Sequence, residues 1–287
     1  MTLPQEIWDE ILEQISTDSG RPTLIACALV ATRWRGRSQK LLFSSVDINE
    51  DNYERWVNGV VRSDSKARLL EYVHSMWYSR CLGSNRYRMQ DLAEVSGEYL
   101  SALPNLHHLT FTGIQVGHIS QAQLHACFSV FREALTYLFL DTFTTSFSAF
   151  VTLVGYFPHI TTLRIGQFVL KLDEGPVPLL PRPFRGKLHV NQVQADYLEF
   201  FNRFAQLNPE YEELVISAPK LPETEFVESA LQISASTVQF LRLTTQLRGE
   251  YSLPTVLIGI TSLPNHPTFK AVLERRSATS DNLESWN

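Results

Sequence analysis

Residues 135–140 read LTYLFL and residues 160–165 read ITTLRI. Each stretch has an apolar residue at its first, fourth and sixth positions, and four other stretches keep this pattern in whole or in part. The six copies centre on Leu109, Leu138, Leu163, Leu188, Leu214 and Leu241. Successive centres are 29, 25, 25, 26 and 27 residues apart, which indicates a structural repeat. Because the last apolar pair of each copy alternates with period two, each copy predicts a short β-strand with one buried face.

Amphipathic segments between the copies predict helices at 119–134, 146–156, 193–207 and 223–234. One strand followed by one helix, repeated along the chain, places parallel strands on one side and helices on the other, because right-handed crossovers allow little else. The pattern resembles that of irregular leucine-rich repeats. This resemblance implies an α/β fold over 69–262, in which a horseshoe has parallel strands inside and helices outside.

The predicted repeats are irregular in several places. The Asn or Cys that leucine-rich repeats usually carry three residues beyond the strand is missing, so we expect aromatic packing to hold the turns. The sequence GPVPLLPRP at 175–183 excludes a helix and predicts an extended connection. Whether 69–78 contains an additional strand stays open. Residues 267–276 predict a closing helix, within a final segment 263–287 that ends in a polar tail.

The first 48 residues have a helical pattern. Ile7, Ile11 and Ile15 recur at helical spacing after Pro4, a residue that the first turn of a helix tolerates. A polar break at 16–22 precedes a second helical run, which continues to about Leu42. Two short helices bury little apolar surface, so we expect a partner protein to cover the apolar side chains that remain exposed.

The segment opens with Leu3-Pro4-x-Glu6-Ile7 and Ile11-Leu12, continues with Leu29-Val30 and Trp34, and closes with Leu42-Phe43 and Val46-Asp47-Ile48. This order of residues resembles an F-box of the kind abundant in fungal proteins. F-boxes bind the Skp-family linker protein and, through it, a cullin that carries the ubiquitin-transfer machinery. The resemblance therefore implies an F-box at 1–48, a charged connector at 49–68 and the repeats after it. The residues that it places at the linker interface are Leu3, Pro4, Ile7, Ile11, Leu12, Leu29, Val30 and Trp34.

Composition argues against several other classes of protein. A net charge of −5 does not favour binding to nucleic acid, which usually requires a basic surface. The most apolar stretch, 135–157, contains Asp141 and several hydroxyl groups, which disfavours a membrane span. The three cysteines have neither paired nor metal-type spacing, and the N-terminus lacks the pattern of a secretory signal. We therefore expect a cytoplasmic or nuclear protein that binds neither nucleic acid nor membrane.

The sequence carries no motif typical of catalysis. It has no Gly-x-Ser-x-Gly elbow, no glycine-rich phosphate loop and no His-Glu-x-x-His helix. His107 and His108 are adjacent on a predicted strand, so their side chains point to opposite faces and do not favour a shared metal ion. We expect neither an enzyme nor a bound metal or cofactor.

The residues between the buried strand positions are expected to form one exposed surface. Tyr, Phe and Arg anchor protein interfaces more often than other residues, so we expect a target protein to bind near the centre of that surface. The predicted contact residues are Tyr137, Phe139, Asp141, Arg164, His189 and Arg242. The main hypothesis is thus a non-catalytic substrate adaptor of an SCF-type ubiquitin ligase. The alternatives are a leucine-rich-repeat scaffold acting outside ubiquitin transfer, and a hydrolase of unfamiliar pattern.

Overall fold

The computed structural model describes the backbone of 4–17, 20–49, 51–63, 67–79, 100–114, 120–171, 182–191, 197–207, 209–218, 240–245, 255–263 and 266–274. Side chains are described for these residues except 17, 168–171, 197–199, 217–218 and everything beyond 239. The chain divides into two compact units. Unit 1 comprises Met1–Ile114 and Ile119–Thr136, and unit 2 comprises Gln115–His118 and Tyr137–Asn287.

Unit 1 combines short helices with a parallel sheet. Its elements are α1 (Gln5–Thr17), α2 (Arg21–Val30), α3 (Thr32–Ser44), β1 (Ser45–Ile48), α4 (Tyr53–Trp56), α5 (Ala67–Leu70), β2 (Ser75–Ser79), β3 (His108–Thr112) and α6 (Gln121–Phe128). A π-helical turn, Val57–Val61, continues α4, and a 3-10 turn, Ser129–Phe131, continues α6. The predicted connector at 49–68 is therefore partly helical.

The second helical run predicted near the N-terminus is divided into α2 and α3. Ala31 is extended, with φ −133° and ψ 127°, and it separates the two helices. Across this break the Nε of Arg35 donates a hydrogen bond to the carbonyl oxygen of Ala28 at 3.3 Å. Alanine is the strongest helix former, so intrinsic propensity does not mark the break. The expectation of a single second helix is wrong at this residue.

The sheet of unit 1 has the order β1, β2, β3, with every pair parallel. Val46 lies opposite Met76, and Met76 lies opposite Leu109. All three side chains are buried. The additional strand that the sequence left open is present as β2, and α3 leads directly into β1. Residues 45–48 thus belong to the sheet as well as to the segment that resembles an F-box.

Unit 2 repeats the alternation of strand and helix. Its elements are β4 (Tyr137–Asp141), β5 (Phe143–Ser146), α7 (Phe147–Tyr156), β6 (Thr162–Ile165), β7 (Phe168–Lys171), β8 (Arg185–Asn191), α8 (Tyr197–Ala205), β9 (Glu210–Ala218), β10 (Phe240–Thr245), β11 (Thr255–Leu263) and β12 (His266–Glu274). Within this unit β4, β6, β8, β9 and β10 pair in that order and are parallel. The predicted α/β class and parallel strands are confirmed.

The central leucines of the repeat form one row across the sheet of unit 2. Leu138 lies opposite Leu163, and Leu163 lies opposite Leu188. Leu188 lies opposite Leu214, and Leu214 lies opposite Leu241. The side chains of Leu138, Leu163, Leu188 and Leu214 are fully buried. A slip of one residue in any pair would turn one strand's leucine to solvent, so burial of these leucines fixes the register.

Aromatic side chains pack against one another in the core of unit 2. The rings of Phe204 and Tyr211 stack with centroids 6.3 Å apart, and Phe150 lies 6.1 Å from Phe204. Burial raises the pKa of the Tyr211 hydroxyl well above its ordinary value. At the turn after β4, Phe143 occupies a position where leucine-rich repeats usually carry Asn or Cys. Its strand, β5, pairs in parallel with β7 and places Phe143 opposite Phe168.

The prediction of a closing helix at 267–276 is wrong. Most of this segment is β12, which pairs antiparallel with β11 from Leu263 opposite His266 onward. Only two residues separate the strands, so the pairing is local and outweighs a weak helical pattern in a segment containing Thr268 and Val272. β10 and β11 are also antiparallel, so the parallel arrangement ends at β10. The helix predicted at 223–234, most of the connection at 175–183 and the tail at 277–287 lie outside the described residues.

Candidate functional site

The first candidate surface consists of apolar side chains exposed on α1 and α2, and we call it the helical surface. Leu29 and Val30 at the end of α2 are 75% and 77% exposed. Ile7 and Ile11 on α1 are 40% and 38% exposed. They are four residues apart, so they lie on one face of α1. These four residues are among those predicted at the linker interface.

Sequence reasoning missed one member of this surface. Ile25 on α2 is 47% exposed and precedes Leu29 by four residues, so the two share a helix face. The helical pattern contained a signal for this exposure. Leu24 is buried, so the adjacent Ile25 lies on another part of the helix surface. Of the other predicted linker residues, Pro4 is exposed, and Leu3 lies outside the described residues.

Two predicted linker residues lie in the packing between the helices. Leu12 is 2% exposed and belongs to the core. The ring of Trp34 is half-buried and lies 4.7 Å from that of Trp8. The Arg33 guanidinium covers both indoles, at 5.5 Å from the Trp8 centroid and 5.3 Å from the Trp34 centroid. Leu12 and Trp34 therefore hold the helices together, and the exposed apolar surface is formed by other residues.

The second candidate surface is the solvent-facing row of the sheet in unit 2, which we call the sheet surface. Phe139 lies opposite Arg164, and Arg164 lies opposite His189. His189 lies opposite Val215, which lies opposite Arg242. The predicted target-binding residues on four strands are thus aligned by register, although the side chain of Arg242 lies outside the described part.

Arg164 is held by two aromatic residues of β4. Its guanidinium carbon lies 4.9 Å from the centroid of the Phe139 ring. Its Nη1 donates a hydrogen bond to the Tyr137 hydroxyl at 3.3 Å. Phe139 and Tyr137 are half-buried, whereas Arg164 is exposed. The three residues that the sequence placed at the centre of the target patch therefore contact one another.

The cationic side chains of β8 lie beside carboxylates of β9. Arg185 binds Glu210 through two contacts, Nε to Oε2 at 2.8 Å and Nη2 to Oε1 at 3.0 Å. The Lys187 ammonium lies 3.4 Å from Glu213, and the Nε2 of His189 lies 3.9 Å from the same carboxylate. These neighbours compensate the positive charge that β8 brings to the sheet surface.

Asp141 has a structural role at the end of β4. Its Oδ1 accepts a hydrogen bond from the backbone N–H of Gln167 at 3.0 Å. The neighbouring Gly166 N–H donates to the Leu140 carbonyl at 2.7 Å. A Cβ at Gly166 would collide with the Asp141 carboxylate, so the close approach requires glycine here. Asp141 lies on the predicted patch, but one of its oxygens is already engaged within the fold.

Trp77 on β2 is an exposed aromatic residue that sequence reasoning missed. It is 49% exposed, and its Nε1 donates a hydrogen bond to the Thr112 hydroxyl of β3 at 2.9 Å. The sequence did contain a signal, because Val73, Met76 and Tyr78 reproduce the spacing of the repeat. In that frame Trp77 occupies the exposed position between two buried residues.

Three histidines lie together near the start of β2 and β3. The rings of His74 and His107 stack with centroids 5.7 Å apart. Each Nδ1–H donates to a backbone carbonyl, that of Asn105 at 3.1 Å and that of Ala134 at 2.8 Å. Burial lowers the pKa of His108, and the neighbouring His107 and His74 lower it further. Among the described residues no group of three His, Cys, Asp or Glu side chains has an arrangement that could hold a metal ion.

The sequence of this chain was compared with protein-family models and with curated proteins. No protein-family model matches it, and no curated protein matches its sequence at a significant level. None of the helices in the described stretches has both the length and the apolar character needed to cross a membrane.

Proposed function

We propose that this chain is a substrate-recognition adaptor of an SCF-type ubiquitin ligase. The helical surface docks the Skp-family linker, and through it a cullin, while the sheet surface binds the target protein. The observation that carries the proposal is the concentration of exposed apolar side chains on α1 and α2. Five of the seven large hydrophobic residues exposed in the described part of the chain belong to these two helices.

Such a concentration of apolar surface favours a protein partner over solvent. Clustered exposed apolar groups commonly mark interaction sites, and buried apolar anchors supply most of the binding energy of an interface. The sequence of this segment contains the Leu3-Pro4 and Leu29-Val30 pairs that resemble those of an F-box. The exposed apolar side chains therefore support a protein partner at these helices, and the sequence resemblance names the Skp-family linker as that partner.

The chain performs no chemistry in this proposal. An adaptor accelerates ubiquitin transfer by raising the effective concentration of the target beside the transfer enzyme. It needs two separate binding surfaces on a stable frame. The helical surface of unit 1 and the sheet surface of unit 2 supply two such surfaces on different parts of the chain.

Binding of the purified Skp-family linker to the full chain tests the docking claim. We expect a complex with the wild-type chain and its loss in the double variant Leu29→Asp/Val30→Asp, because a charge cannot be buried without a partner. Wild-type affinity in the double variant would contradict the docking claim.

Target turnover separates an adaptor from a scaffold that acts outside ubiquitin transfer. If the chain is an adaptor, the linker-deficient double variant should still bind the target protein. Cells that carry this variant should degrade the target more slowly. A target half-life that does not depend on Leu29 and Val30 would favour the scaffold.

A further inference from the structure

Arg164 differs from the other basic side chains on the sheet surface in its carboxylate neighbours. Arg185, Lys187 and His189 each lie within 4.0 Å of a carboxylate of β9. Among the described residues no carboxylate lies within that distance of Arg164, whose neighbours are the Phe139 ring and the Tyr137 hydroxyl. The sheet surface thus presents the exposed guanidinium of Arg164, and no carboxylate in the described part of the chain neutralises its positive charge.

The contacts of Arg164 hold it in a geometry suited to binding. A guanidinium over an aromatic face keeps the N–H groups at its edge available, and it is more weakly hydrated than an ammonium group. The hydrogen bond to Tyr137 restrains the side chain further, which lowers the entropy lost when a ligand binds. Planar guanidinium edges match carboxylates through two parallel hydrogen bonds.

We propose that the sheet surface recognises an acidic peptide segment of the target, with an Asp or Glu carboxylate bound by Arg164. This inference rests on the proposed function for the existence of a target, and it adds the chemical class of the segment. Charge complementarity selects the acidic occupant, because the neighbouring cations of β8 already have carboxylate partners within the fold.

The neighbouring strands help to select the segment. Carboxylates Glu210 and Glu213 of β9 disfavour further negative charge beside β8, whereas the β4 side of Arg164 is aromatic. An acidic residue should therefore bind at Arg164 with an apolar neighbour toward Phe139 and Tyr137. Runs of carboxylates extending toward β9 should contribute little.

The test measures fluorescence anisotropy of a labelled peptide that contains one glutamate flanked by phenylalanine and alanine, with the full chain. Peptides of the same length that carry lysine or phosphoserine in place of the glutamate are further probes. We expect the glutamate peptide to bind, the lysine peptide not to bind, and Arg164→Gln to weaken binding of the glutamate peptide by at least about tenfold. Arg164→Lys should give an intermediate loss, because it keeps the charge without the planar edge. The matched control is Arg185→Gln, an exposed arginine already paired with Glu210, which should change binding by less than about twofold.

Three outcomes would overturn the inference. They are no binding of the glutamate peptide by the wild-type chain, an equal loss in Arg164→Gln and Arg185→Gln, and binding of the phosphoserine peptide alone. Thermal unfolding of each variant confirms that the fold is retained, and Arg164→Lys provides a second variant if Arg164→Gln is unstable. Linker binding by the same proteins reports separately on the proposed function, because Arg164 is not part of the helical surface.

Discussion

The indole rings of Trp8 and Trp34 lie 4.7 Å apart and join α1 to α3. Replacing either tryptophan by alanine removes packing between these two helices. We expect Trp34→Ala to lower the free energy of unfolding by about 2 kcal/mol or more, as measured by chemical denaturation. The matched control is Trp77→Ala, which removes an exposed tryptophan and should cost less than about 1 kcal/mol. Equal losses in the two variants would show that the Trp8–Trp34 contact is not stabilising.

A glycine in β8 is required by the backbone. Gly186 has φ +133°, and a Cβ there would collide with the carbonyl oxygen of Thr161. That oxygen accepts a hydrogen bond from the Lys187 N–H at 2.8 Å. We expect Gly186→Ala to lower the free energy of unfolding by about 2 kcal/mol or more.

Gly36 provides the control for this substitution. A Cβ at Gly36 in α3 meets nothing within 4 Å. Gly36→Ala should therefore stabilise the chain by up to about 1 kcal/mol, because alanine favours a helix. Denaturation of both variants under the same conditions gives the comparison, and a Gly186→Ala protein as stable as wild type would contradict the account of this strand.

The lowered pKa of the His108 side chain predicts that protonation of this residue destabilises the folded state. Its ordinary pKa is 6.5, and burial with two neighbouring histidines lowers the value in the folded state. The unfolded chain then binds more protons than the folded one, so stability falls as the pH drops below about 6.5. We expect the melting temperature of His108→Asn to fall less between about pH 7 and about pH 5 than that of wild type. The same pH slope in wild type and His108→Asn would refute this prediction.

Truncation tests the dependence of each repeat on its neighbour. A chain that ends at Gln206 loses β9, so Leu188 loses Leu214 and Phe204 loses the ring of Tyr211. The exposed apolar face should cause aggregation, visible by light scattering. A chain that ends at Glu274 keeps every described strand and should remain soluble. A soluble fragment 1–206 with a cooperative melt would instead indicate separate domains.

The strands and their register could be predicted because burial imposes a strict pattern on the sequence. Leu138 and Leu163 each occupy a position where a slip of one residue would expose a leucine. The start of α6 follows an equally local rule. Ser120 caps α6, where its Oγ accepts from the Gln123 N–H at 3.2 Å, as a serine before a helical run predicts.

Features that depend on tertiary contact could not be predicted in the same way. The break at Ala31 opposes local propensity, and the pairing of β11 with β12 replaces a helix that the local pattern allowed. The ion pair of Lys187 with Glu213 requires the register shift after Gly186, which the sequence pattern did not reveal. For the candidate site, the sequence identified Phe139 and Arg164 as surface residues, whereas the contact between them required the structure.

The central claim is that the exposed end of α2 docks the Skp-family linker. Isothermal titration of the purified linker into the full chain measures this interaction directly, with Val30→Asp as the test variant and Val130→Asp as the control. Val130 is also apolar and 46% exposed but lies in the turn after α6. We predict that Val30→Asp weakens linker binding by at least about 2 kcal/mol, or about thirtyfold, while Val130→Asp binds like wild type. Absence of linker binding by the wild-type chain, or equal affinities for Val30→Asp and wild type, would contradict the account.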